Sequence, residues 1–318
     1  MTAIEFTQAD PKEKVLLIGD LLIDRTYYVE VTKLSPEAPV PVAMLTGKPI
    51  DTPGGAGLAA AYAAVHSIPL IFGTYTSIET ALWINNTYKI PVVYSSVRKS
   101  EINAIKTRYI DNERFYHLLR VDSDRTVPLP FEFDKQEEEE WFRQIKDVIF
   151  NEKISIISLL DYKKGFFNKE RCRRLISIAK KMNIPVYVDS RSKDLKKFTG
   201  ASVLKLNTLE FGEACELYHV NDPYQLIKEL DITFLIKTKG SKGAEMWSKG
   251  KGHCSYTPDL NEHEGSPDVT GCGDVFDVTF CHEWSIKKIA FGKALETAVE
   301  TATKFAYESI GERLKCQS

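Results

Sequence analysis

The sequence predicts an α/β protein: a mostly parallel central sheet with helices on both faces and a small β-lid projecting from it. Three observations carry this. Short apolar runs alternate with helical segments from residue 154 onward, the rhythm of strand-helix-strand units. The run Val15-Leu-Leu-Ile-Gly19 ends in Gly19-Asp20, as a buried parallel strand does where its carboxyl end opens onto a polar loop. Residues 25–46 are rich in Tyr, Val and Thr but carry Ser35-Pro-Glu-Ala-Pro-Val-Pro41, a proline density that belongs at a sheet edge or in an extended ribbon.

In chain order, the ribbon at 25–46 gives the first part of the lid. Gly54-Gly55-Ala56-Gly57 then leads into the Ala-rich segment 58–65, so a glycine-rich turn feeds a helix of high propensity. Residues 103–110 and 115–121 read as a strand pair around Asp111-Asn112-Glu113, the second part of the lid, and 136–150 as a charged amphipathic helix. Strands follow at 154–160, 185–189, 203–207 and 234–238, with helices at 168–182, 209–217 and 289–310. A single domain over residues 1–318, with lid elements at about 25–46 and 103–121, is the expected organisation.

The bulk composition narrows the partners. The chain has 318 residues, and 42 Lys+Arg against 44 Asp+Glu give a net charge of −2. No basic excess invites nucleic acid or an anionic membrane; a small molecule is the expected partner. Six cysteines lie without regular spacing, which points to free thiols rather than a zinc site or a disulfide framework. The first 14 residues alternate polar and charged side chains, unlike a signal peptide, and apolar runs stay far below the roughly 18 residues of a membrane span. The expected location is cytoplasmic.

Asp268-Val-Thr-Gly-Cys-Gly-Asp274 is the segment that carries chemistry. It places two glycines and a carboxylate where a loop turns into a helix, so backbone N–H groups and the helix dipole form an anion site. Asp274 beside that site could accept the proton of a bound hydroxyl as it attacks a phosphoryl group. The bland alternative is a glycine-capped turn with an Asp at the helix start.

In the context of the whole chain this segment resembles the D-T-x-G-A-G-D signature of the ribokinase-like (PfkB) carbohydrate kinases, with Cys272 in place of alanine. The resemblance implies a ribokinase-like three-layer α/β/α fold, ATP and magnesium as cofactors, and Asp274 as base with the amides of Gly271, Cys272 and Gly273 around the transferring phosphoryl group. Asp20, Asp24, Gly54 and Gly55 look like the sugar-binding signature. Asn207-Thr-Leu-Glu210 looks like the family's N-x-x-E, which implies that Glu210 meets magnesium through water. Thr238, Gly240 and Gly243 resemble the turn that lines the nucleotide.

Ser35-Pro-Glu-Ala-Pro-Val-Pro41, Asp161-Tyr-Lys-Lys-Gly165 and Leu119-Arg-Val-Asp122 resemble motifs of the heptose-7-phosphate kinase branch. A substrate that already carries a phosphate needs a cation; Lys106, Arg108, Arg120, Lys164 and Arg191 are the candidates. A homodimer formed through the lid is a further implication.

Several positions depart from the pattern. Leu58 and Glu300 stand where asparagines are usual, and Asp277 puts a carboxylate one turn from Asp274, where like-charge repulsion is expected to raise the Asp274 pKa. The G-x-x-G-x-D stretch expected after Phe72 is absent. These departures leave open a kinase for another sugar or a nucleoside, or a non-catalytic sugar- or nucleotide-binding homologue. A hydride-transferring enzyme fits less well, because Gly54-Gly55-Ala56-Gly57 lacks the GxGxxG spacing after a strand.

Overall fold

The computed structural model describes residues 13–96, 103–114, 116–123, 135–263, 265–308 and 314. Its first half contains β1 (Lys14–Gly19), β2 (Leu21–Leu34), β3 (Pro41–Leu45), β4 (Ile50–Gly55), α1 (Ala56–Val65), β5 (Leu70–Thr76), α2 (Ile78–Tyr88), β6 (Val92–Ser96), β7 (Ile105–Asp111) and β8 (His117–Asp122). The second half contains α3 (Lys135–Asn151), β9 (Ile154–Asp161), α4 (Lys169–Lys181), β10 (Val186–Ser190), β11 (Val203–Asn207), α5 (Thr208–Tyr218) and α6 (Pro223–Glu229). It closes with β12 (Phe234–Thr238), β13 (Ala244–Ser248), β14 (His253–Tyr256), α7 (Cys272–Cys281) and α8 (Phe291–Tyr307). Phe115 and Cys316 lie outside the described residues.

The main sheet runs β14-β13-β12-β11-β10-β9-β1-β5-β6. Every pairing from β6 across to β12 is parallel, and β13 and β14 are added antiparallel at one edge. Alternation along the strands divides the core between two faces. In β1, Val15 and Leu17 join a cluster with Ala60, Val275, Phe280 and Leu295 of α1, α7 and α8, whereas Leu16 and Ile18 join Trp141, Ile145, Leu175 and Leu226 of α3, α4 and α6. Three layers follow, because a strand buried on both sides must be covered on both sides.

The chain leaves β1 toward β5 and β6 on one side and returns through β9 to β12 on the other. The order therefore reverses between β1 and β9, and ligands of open parallel sheets bind outside the carboxyl ends at such a reversal. Those ends are Gly19-Asp20 and Asp161-Tyr162.

A second sheet of order β3-β2-β7-β8, with β4 also paired to β2, forms the lid. It is larger than the sequence implied. The pair Gly54-Gly55 closes β4, opposite Leu22 and Leu21 of β2, so it is strand rather than free turn until the chain enters α1. The strands β5, β6, β13 and β14 and helix α6 add to the elements read from the sequence.

Candidate active site

Helix α7 begins at Cys272 with Gly271 as its N-cap at φ 85, so Asp274 is the third residue of the first turn. A Cβ at Gly271 would lie 2.2 Å from Leu58 Cδ2, so both the left-handed backbone and the packed Leu58 require glycine there. Leu58, in place of the usual asparagine, thus forms an apolar wall of the loop.

The amides at this turn divide into two groups. The Cys272 N–H donates to the Val269 carbonyl at 3.3 Å, and the Thr270 N–H to Asp268 Oδ1 at 3.0 Å. Among the described residues no protein group accepts from the N–H of Gly271, Gly273 or Asp274. Orphan donors at a helix start are what an anion needs. Of the expected trio Gly271, Cys272 and Gly273, the Cys272 amide is taken by the Val269 carbonyl, and the Asp274 amide stands beside the other two without a protein acceptor among the described residues.

Asp274 is 5% exposed, and burial, the largest influence, raises its carboxyl to about 7. The Tyr162 hydroxyl, which donates to Asp274 Oδ1, and then Lys205 pull it down; Asp189 pushes it up and Arg191 pulls it down. Asp277 is not the cause that its position suggested. Its Oδ1 lies 2.6 Å from Lys205 Nζ and accepts from the Tyr187 hydroxyl at 2.6 Å. Burial raises the Asp277 carboxyl and Lys205 opposes the rise; an ammonium and a phenol converging on one oxygen suit an ionised acceptor. Lys205 also pairs with Asp189 at 2.9 Å and donates to the Gly273 carbonyl at 3.4 Å. A buried cation thus meets the extra carboxylate and touches the backbone of the anion turn.

The sugar-side residues are only partly as expected. Asp24 lies against the glycine pair: a Cβ at Gly54 would lie 2.3 Å from its Oδ2, and its Oδ1 pairs with Arg108 Nη1 at 2.5 Å. Asp20 is turned elsewhere. Its Oδ2 accepts from the amides of Tyr162 at 2.8 Å and Lys164 at 3.2 Å, and it is 5% exposed. Burial, reinforced by Asp161, raises the Asp20 carboxyl to about 7, while the Lys164, Tyr162 and Phe166 amides pull it down. Asp20 therefore braces the 161–166 loop.

The strand register puts Lys106, Arg108 and Arg120 on one face of the lid with Asp24, since Asp24 is aligned with Lys106, and Arg108 with Arg120. Arg120 is half-exposed and bidentate with Asp122. Lys164 sits in the loop that Asp20 holds, and Arg191 lies over the Tyr162 ring, 4.2 Å from its centroid.

At the nucleotide side, Asn207 and Glu210 form a capping box on α5: Asn207 Oδ1 accepts from the Glu210 amide at 3.0 Å, and Glu210 Oε2 from the Asn207 amide at 2.8 Å. The N-x-x-E spacing is thus explained locally, and burial raises the Glu210 carboxyl. Thr238 ends β12, and Gly240 and Gly243 shape the turn to β13. Glu300 accepts from the Tyr256 hydroxyl at 2.6 Å. Among the described residues no group of three His, Cys, Asp or Glu could hold a metal ion by itself.

Tyr162, Asp189 and Lys205 escaped the sequence reading. A lysine inside the apolar run Val203-Leu-Lys-Leu-Asn207 was a legible sign of a buried counter-charge, and Tyr162 sat in a motif already singled out for its lysine.

No protein-family model matches the chain. It is 30% identical over 306 residues to the bifunctional protein HldE of Pseudomonas aeruginosa, strain UCBPP-PA14, and 27% identical over 308 residues to that of Methylobacillus flagellatus, each alignment covering 94% of this chain. The chain spans 60% of the length of those relatives. Among solved structures it is similar to phosphofructokinase-2 of Escherichia coli in complex with potassium, with TM-score 0.71, 15% identity and 94% of each chain covered. It is also similar to ribokinase of Arabidopsis thaliana complexed with ribose and ATP, with TM-score 0.65, 14% identity and again 94% of each chain. With its three layers, its second sheet and these likenesses, the chain has a ribokinase-like three-layer α/β/α fold.

Proposed function

We propose that this chain transfers the γ-phosphoryl group of ATP to a hydroxyl of a sugar phosphate, heptose-7-phosphate being the first choice. The observation that carries the reading is one turn of helix, where three amides without a protein acceptor among the described residues stand with a buried carboxylate at the start of α7.

Asp274 takes the acceptor's proton as the oxygen attacks, and a carboxyl poised near neutrality suits that task. The amides of Gly271, Gly273 and Asp274 stabilise charge growing on the phosphoryl oxygens, where one lost donor typically costs about a hundredfold in rate. The lid excludes water from the site, and Asp24 with its neighbour Gly54 accepts sugar hydroxyls. Lys106, Arg108 and Arg120 share the Asp24 face, which supports a substrate that brings its own anion.

The donor set also fits the cofactors. The orphan amides suit a triphosphate, and Glu210, with Oε2 held by the Asn207 amide, is the side chain that would meet magnesium through water. Magnesium would neutralise phosphate charge, held by the nucleotide's oxygens rather than by a protein cage. No helix of the described residues is long and apolar enough to cross a membrane, which agrees with a cytoplasmic substrate. Exposed Leu34, Val40, Met44 and Leu45 at the β3 side of the lid support pairing of two copies there.

The test is a panel of sugars, sugar phosphates and a nucleoside with ATP and magnesium, read as ADP release. Selective turnover of a heptose phosphate is expected. Binding of ATP and sugar phosphate with no turnover of any acceptor would favour the non-catalytic homologue, the reading that Leu58 and Glu300 speak for.

A further inference from the structure

The loop that follows β9 is fixed more tightly than a connecting loop requires. Asp161, 2% exposed, pairs with buried Lys197 at 2.7 Å and accepts from Ser190 Oγ at 2.8 Å and the Lys163 amide at 2.9 Å. Its carbonyl accepts from the Arg191 amide at 3.0 Å. Asp20 holds the Tyr162 and Lys164 amides from the β1 side. Lys197 donates to the Phe167 carbonyl at 2.9 Å, and Arg171, 3% exposed, to the Phe166 carbonyl at 2.8 Å.

What these contacts jointly orient is one side chain. The Tyr162 ring lies against the lid's glycine pair, where a Cβ at Gly55 would be 3.4 Å from Tyr162 Cδ2. The Arg191 guanidinium covers it 4.2 Å from the ring centroid, a cation–π contact that fixes the ring plane. The ring is 8% exposed and its hydroxyl ends on Asp274 Oδ1. Oδ2 of Asp274 has no protein partner among the described residues.

We propose that Tyr162 is a positioning residue for Asp274: its hydroxyl pins Oδ1 and so presents Oδ2 to the acceptor hydroxyl. This rests on Asp274 being the base. A buried carboxylate without such a donor would rotate freely and resist ionisation. The other charged groups facing Asp274 cannot substitute. Lys205 of β11 is engaged by Asp189 of β10 and by Asp277 of α7 itself, and Arg191 is spread over the tyrosine ring. Tyr162 is the direct hydrogen-bond donor among them.

The test is a carboxyl titration by NMR on protein labelled with ¹³C-aspartate, the Asp274 signal being assigned with Asp274→Asn. In Tyr162→Phe, which keeps the ring contacts, the Asp274 midpoint should rise by about one pH unit, the worth of a hydrogen bond to an ionised group. A fluorotyrosine in place of Tyr162, a stronger donor, should lower it. The acidic limb of kcat/KM should move with the midpoint, while KM for the acceptor changes little. An Asp274 midpoint unmoved in both variants overturns the proposal whether or not an acceptor is known. Midpoints that move in a protein with no phosphoryl-transfer activity would uphold the coupling and remove the kinase reading instead.

Discussion

Replacing Lys205 with methionine should be among the most destabilising single changes in this protein, and removing Asp277 with it should restore much of the loss. The ammonium is 5% exposed and makes three contacts: Asp277 at 2.6 Å, Asp189 at 2.9 Å and the Gly273 carbonyl at 3.4 Å. The Asp277 side chain is 1% exposed, and its Oδ2 has no hydrogen-bond partner among the described residues. Lys205→Met therefore leaves a carboxylate in the core with only the Tyr187 hydroxyl. Breaking one partner out of such a pair costs roughly 3–5 kcal/mol, a large fraction of the ~5–15 kcal/mol that holds a domain folded. In Lys205→Met/Asp277→Leu no charge is stranded, since Asp189 has side-chain exposure of 17% and reaches water. The remaining cost is one unpaired tyrosine hydroxyl, about 1–3 kcal/mol, offset in part by apolar packing. Urea unfolding at neutral pH, followed by circular dichroism with the m-value compared across variants, reads both numbers. A single variant within about 1 kcal/mol of wild type, or a double variant no more stable than the single, would refute the claim that Lys205 exists to meet the Asp277 charge.

Two further outcomes follow from the geometry. Asp274 is held near 7 against an ordinary 3.8, so its ionisation opposes folding: the stability it gives below pH 4 is lost as pH rises to about 7. The full difference is on the order of 4 kcal/mol; Asp274→Asn should be more stable than wild type at pH 8 and equal to it near pH 4, as thermal melts at both values would show. Gly271→Ala puts a Cβ 2.2 Å from Leu58 Cδ2 at φ 85, which should cost about 1–3 kcal/mol and lower turnover through the displaced amides; Leu58→Ala added to it should recover part of the stability.

The fold was legible because its signals are local. Each apolar run from Ile154 to Thr238 became a parallel strand, and Asn168 capped the helix that its position announced, with Oδ1 accepting from the Arg171 amide at 2.8 Å. Leu70–Thr76 was harder, since a strand buried along its whole length shows no alternation. The glycine turn into α7 was legible too, since Gly271 stands at φ 85, a backbone that favours glycine. What stayed hidden was who meets whom. That Asp20 faces the 162–166 amides, that Tyr162 reaches Asp274 across 112 residues and that Lys205 answers Asp277 are facts of packing between distant segments, with no imprint in local spacing. The expectation that Asp277 would perturb Asp274 failed for that reason: its counter-ion comes from another strand.

In the proposed reaction Asp274 deprotonates the acceptor while neighbouring amides hold the phosphoryl group. The most direct measurement is the turnover of Asp274→Asn beside its affinities for nucleotide and sugar phosphate, the latter by calorimetry. Turnover should fall by about a thousandfold with both affinities within a few-fold of wild type. A variant that consumes ATP at the wild-type rate in the presence of the acceptor would contradict it.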